Sequence, residues 1–162
     1  MKPIINLLPW EYEWVCHVGA RRFAANWFRP DAKHYHRDRM EDDRTAAVAA
    51  CAAELAVAKH TNRYWSGHVW DYRDHNQYKD IPDVGTNIEV RRIRTKDMAA
   101  VRKRQVGKGL VLFVAKPIMP EIRSVEIHGW MHYDQAWEAG VPSDYDPDTR
   151  LIDSECLNGY SP

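Results

Sequence analysis

Apolar positions along the chain first recur at helical spacing. Residues 9–28 (PWEYEWVCHVGARRFAANWF) carry Trp14, Val18, Arg21, Arg22, Ala25 and Phe28 at steps of three and four, which predicts a helix with Gly19 as its weak point. Residues 29–43 open on a proline and are dense in charge and polar rings, the pattern of a solvated connection that ends in the acidic first turn of a second helix. That helix is predicted over residues 45–60 (TAAVAACAAELAVAKH). It is alanine-rich and apolar nearly all round, so it should be buried.

The period then changes. Residues 62–78 mix aromatic and polar side chains without a clean repeat and read as loop, with one short strand around 67–72. Residues 79–94 alternate about Gly85-Thr86-Asn87, which predicts a β-hairpin with a three-residue turn. A continuous apolar run over 110–116 (LVLFVAK) suits a central strand covered on both faces, and 124–133 (SVEIHGWMHY) alternates as another strand. Two prolines make the intervening KPIMPEIR a turn, and the Asp, Pro and Gly residues beyond Asp134 predict a loop-rich tail over 134–162. The expected fold is α+β, a small mixed sheet flanked by helices, in one domain spanning 1–162 whose core is about 45–133 and whose residues 1–44 are an N-terminal helix and connection.

Composition adds exclusions. Lysine plus arginine equals aspartate plus glutamate at 23 each, so global charge selects neither nucleic acid nor an anionic membrane, and any such partner must meet a local patch. No apolar run approaches the roughly 18 residues of a membrane span. The N-terminus, with acids and tryptophans after a short apolar piece, lacks a leader pattern, and Cys16, Cys51 and Cys156 form neither a CxxC nor a disulfide framework. Together these point to a cytoplasmic protein with reduced thiols.

The hairpin carries the candidate chemistry. With residues 85–87 as the loop, Val84 faces Ile88 and Asp83 lies across the ladder from Glu89, where like charges at a Cβ separation of roughly 5 Å destabilise each other unless a cation intervenes. A strand period of two puts Arg91 on the face of Glu89. Hard divalent ions such as Mg²⁺ bind through one or two carboxylates plus waters and substrate phosphate, a minimum that Asp83 and Glu89 supply. Glu54 is the only charge between Arg44 and Lys59, set in a helix that should lie against the sheet; a buried carboxylate needs a proton, hydrogen-bond donors or a cation.

The ordered combination of ELAVAKHTNRYWSG (54–67), DVGTNIEVR (83–91) with Pro82 before it, and IHGW (127–130) resembles the PD-(D/E)XK restriction-endonuclease-like nuclease superfamily, in particular small members carried by phages and prophages. The resemblance covers about residues 45–133. It implies an αβββαβ core and a DNA phosphodiesterase dependent on Mg²⁺ or Mn²⁺, in a bacterial host cytoplasm if phage-encoded. Asp83 and Glu89 would ligate the metal, and Glu54 would join them directly or through water. Where the motif ends in lysine this chain has Arg91, which stays protonated and can position water or phosphate but not take a proton; Lys96 and Lys103 are the candidates for a displaced lysine.

Arg92, Arg94, Lys96, Arg102, Lys103 and Arg104 form, with Arg91 and Lys108, the one local concentration of base, and are the candidate DNA-phosphate contacts. Trp65 and Trp70 are candidates for substrate contact. His34-Tyr35-His36, the pair His128 and His132, and Asp74-His75-Asn76 lack the partners that a zinc site or an HNH nuclease requires. The alternative reading is a nuclease-fold module that binds DNA or a protein without turnover, with self-association into a homodimer left open.

Overall fold

The computed structural model describes residues 1–27 and 43–162. His34, His36 and nearly all of the predicted 29–43 connection lie outside the described residues. Both predicted helices form, α1 over Pro9–Trp27 and α2 over Asp43–Thr61. Every residue of α2 from Ala49 to Ala58 except Ala50 is buried. Small alanine side chains let the neighbouring elements approach this helix closely. A Cβ added to Gly19 of α1 would stand 2.8 Å from the Cα of Val48, so glycine at that position sets the separation of the two helices.

One mixed sheet holds β1 (Ile4–Asn6), β5 (Ser124–His132), β4 (Val111–Pro117) and β2 (Ile88–Arg92), in the order β1-β5-β4-β2. β4 runs antiparallel to β5 and parallel to β2, which is therefore an edge strand. Alternation along β4 divides the core. Phe113 and Ala115 pack with Ile88 and Val90 of β2 against α1 and α2, whereas Leu112 and Val114 join Tyr133, Ala136 and Ile152 on the opposite face.

The α+β class holds, and the differences lie in how strands are shared out. There is no full hairpin over residues 79–94. Val84 and Ile88 exchange both main-chain hydrogen bonds at 3.1 Å, but the first arm ends there and β2 pairs onward with β4. Pro82, which would face Val90, has no N–H to offer the ladder. The predicted strand at 67–72 is also absent. Trp65 makes an isolated bridge to Val84, and a 3-10 turn (Tyr72–Asp74) and the single-turn helix α3 (His75–Tyr78) follow.

The tail is not loop. Tyr133–Ala139 form α4, and β3 (Met98–Arg102), β7 (Thr149–Asp153) and β6 (Val141–Pro142) make a second sheet in the order β3-β7-β6. β3 lies within the basic stretch that supplied the candidate phosphate contacts. Its buried Ala99 and Val101 alternate with half-buried neighbours, and they pack with Ile152 and α4 under the first sheet. Among the described residues no helix is long and apolar enough to cross a membrane.

Candidate active site

Asp83 and Glu89 stand at the outer edge of β2, within electrostatic reach of Glu54 from α2. Gly85 (φ +58°) makes the tight return that the three-residue loop requires, which sets Val84 opposite Ile88 and Asp83 beside β2. The Oδ2 atom of Asp83 accepts from the Val90 N–H at 2.8 Å, taking the ladder position that a longer hairpin arm would have filled. Burial and the charges of Glu54 and Glu89 push the Asp83 carboxyl well above the usual range, against the opposing pull of the Val90 N–H and Arg91.

Glu89, buried on β2, is likewise raised by burial; Arg91 opposes this, Glu54 adds to it, and Arg104 and Lys108 oppose it. Its Oε2 lies 3.9 Å from Arg91 Nη2, an ion pair at the long limit. Tyr133, whose hydroxyl accepts the Arg102 N–H at 2.8 Å, also bears on Arg91. Burial weakens the Arg91 charge, but Tyr133, Asp83 and Glu89 outweigh it and hold the guanidinium protonated. Arg91 Nε is buried without a hydrogen-bond partner.

Glu54 approaches from α2. Its Oε1 accepts from Arg22 Nη1 of α1 at 2.7 Å and its Oε2 from Trp65 Nε1 at 2.8 Å. Arg22 is held further by donation from Nε to the His68 carbonyl at 2.9 Å. Burial works against its charge, but Glu54, with smaller contributions from Cys51 and Asp83, raises its pKa above the ordinary value. Burial first, with the same acids adding to it, pushes the Cys51 thiol up to about 12, so this central cysteine stays protonated and inert.

A cleft of about 710 Å³ is lined by Arg91, Arg102, Lys103 and Arg104 together with Asp146 and Asp148. Arg102 is braced there by Thr149 Oγ1 at 2.6 Å and Asp146 at 3.3 Å. The predicted basic group is divided, however. Arg92 and Arg94 line a separate cavity of about 600 Å³ with Ile118 and Met119, and Lys96 is exposed on the connection between β2 and β3. Of the two candidate displaced lysines, Lys103 shares the cleft of Arg91. Lys108, which acts on Glu89, pairs with Asp80 at 2.6 Å.

The other candidates resolve into packing and local contacts. Trp65 is buried and serves Glu54, while Trp70 stacks on His68 at 4.8 Å. His128 is buried between Glu126 at 3.2 Å and Ser154 at 3.5 Å, and His75 begins α3. Two contributors escaped the sequence reading, Arg22 and Tyr133. The signal for Arg22 was an arginine four positions after Val18 on a buried helical stripe. Tyr133 had none, since it read as the last residue of the 124–133 strand and is instead the buried first residue of α4.

An all-oxygen donor set suits a hard divalent ion. Asp83 keeps Oδ1 and Glu89 both oxygens outside the protein hydrogen bonds described above, so these two fit such an ion. Glu54 fits as a contributor of charge or through water, since each of its oxygens already accepts from a donor. Among the described residues no three His, Cys, Asp or Glu side chains converge as a closed ligand cluster. Compared with protein-family models, with curated proteins and with solved structures, the chain matched none.

Proposed function

We propose that this protein is a nuclease of the PD-(D/E)XK type, hydrolysing DNA phosphodiester bonds with Mg²⁺ or Mn²⁺ held by Asp83 and Glu89 and with Glu54 adding charge behind them. One observation carries the reading: two dehydrated carboxylates that repel each other's ionised form stand beside a cleft in which Arg91, Arg102, Lys103 and Arg104 outnumber Asp146 and Asp148. The acids need a cation, and the cleft's surplus of positive charge favours an anion. A phosphate with its metal satisfies both.

The chain's own residues would divide the work as follows. Arg91 faces the scissile phosphate and stabilises the charge that builds on it. Arg102, Lys103 and Arg104 hold the flanking backbone without reading sequence. A bound divalent ion lowers the pKa of a water and neutralises phosphate charge. Asp83 stays fixed by Val90 and so presents its free oxygen without reorganisation.

The test is to incubate the chain with single- and double-stranded DNA plus Mg²⁺ or Mn²⁺, alongside Asp83→Ala and Glu89→Ala. Metal-dependent cleavage lost in both variants supports the nuclease; DNA binding without cleavage in either metal rejects it. That second outcome defines the other reading, a binding module on the same fold. It is favoured by Arg91, which cannot take a proton from water, and by Glu54, already engaged by Arg22 and Trp65.

A further inference from the structure

Glu54 bears on both Asp83 and Glu89, and the cation bonded to Glu54 comes from α1. Arg22 reaches this cluster from the turn after Gly19, which packs closely on Val48 of α2. Its three nitrogens are used unequally. Nε is fixed on the His68 carbonyl and Nη1 on Glu54, while Nη2 is buried with no hydrogen-bond partner.

The contact with Glu54 is single rather than forked, because Trp65 takes the second carboxylate oxygen. Glu54 would therefore keep an anchor if Arg22 were removed. The guanidinium charge also acts on Asp83, the residue with a free oxygen for a metal. One fixed positive charge thus sits on Glu54, the acid whose own charge bears on both Asp83 and Glu89.

We propose that Arg22 is a built-in competitor for the divalent cation, neutralising Glu54 behind Asp83 and Glu89 in the metal-free protein and so setting how tightly the acidic cluster takes a metal. The inference rests on the metal-dependent reading above and adds a residue that this reading does not need. A unit charge a few ångströms from a bound cation, in surroundings less polar than water, changes its affinity by about tenfold or more. Arg22 is a positioning and tuning residue in this account, since it touches neither the metal nor the substrate.

Calorimetric titration of the full chain with Mn²⁺ tests this, comparing the wild type with Arg22→Gln and with Arg22→Gln combined with Asp83→Asn. Arg22→Gln is expected to bind Mn²⁺ about tenfold or more tightly than the wild type, with the gain lost in the double variant. Wild-type binding that Arg22→Gln leaves unchanged or weakens overturns the inference while the metal reading stands. An absence of Mn²⁺ binding in both proteins overturns the two together. If Arg22→Gln folds poorly, Arg22→Met and a thermal melt decide the same question. The rise in Tm on adding Mn²⁺ should be larger in the variant than in the wild type, and a rise no larger rejects the proposal.

Discussion

The carboxylate of Asp83 and the main-chain N–H of Val90 meet at 2.8 Å on the outer edge of β2. This bond ends a strand ladder and fixes one oxygen of a candidate metal ligand at the same time. The two roles separate by substitution. Asp83→Asn keeps an acceptor for Val90 and should cost little stability, whereas Asp83→Ala leaves the N–H unpaired and should cost about 1–3 kcal/mol in urea unfolding. DNA cleavage should disappear in both, because both lose the charge. Full activity in Asp83→Asn would show that the carboxylate serves the edge alone.

Stability should also depend on pH in a direction set by the raised carboxyls. Asp83 and Glu89 ionise less readily in the fold than in the unfolded chain. Their contribution is therefore fully present below the unfolded carboxylate range, near pH 4, and is lost as pH rises through their folded values. In metal-free buffer, Tm measured from pH 4 to 8 should fall more steeply in the wild type than in Asp83→Asn. Adding Mg²⁺ at pH 8 should recover the wild type more than the variant. Parallel pH profiles would mean that the acidic cluster carries no strain.

Arg91 decides between turnover and binding. Its guanidinium stays protonated in this setting, so it can hold a phosphate or a water but not remove a proton. With a divalent ion neutralising Asp83 and Glu89, a lysine at the same position would be left with burial, which disfavours its charge, and could give up a proton that arginine cannot. Arg91→Lys should raise the rate of Mn²⁺-dependent cleavage by about tenfold or more, with the rate climbing through neutral pH. An unchanged or lower rate would place the work of Arg91 entirely in holding the phosphate.

How much of this was legible in the sequence depended on the kind of signal. α1, α2, β4 and β5 were readable because each carries a period or an unbroken apolar run of sufficient length. The facing of Val84 and Ile88 was readable too, since a three-residue loop dictates it. The second sheet was not. Its strands are short, the β3 residues lie inside a basic run, and β7 follows a stretch of Asp and Pro whose local turn signals hide a buried Ile152. For Glu54 the sequence correctly demanded a partner but could not say which. Arg22 lies 32 positions away on another helix, and only the packing of α1 on α2 joins them.

That packing yields the last prediction. Gly19 lies one helical turn before Arg22, and a methyl group there would stand 2.8 Å from both the Cα and a side-chain methyl of Val48. Backbone cannot give way as a flexible side chain can, so Gly19→Ala must push α1 away from α2. Alanine's better helix propensity would favour the helix by about 1 kcal/mol, while overpacking typically costs about 1–3 kcal/mol, so the net effect should be a modest loss of stability. The larger consequence falls on the site, because the 2.7 Å contact between Arg22 and Glu54 cannot survive a shift of the helices unaltered. Removing Trp65 Nε1–H as well, by Trp65→Phe, would then deprive Glu54 of both donors. The double variant should be destabilised by more than the two single variants added together, as expected when two groups share one buried partner. Strict additivity in urea unfolding would show that Gly19 does not set the position of Arg22.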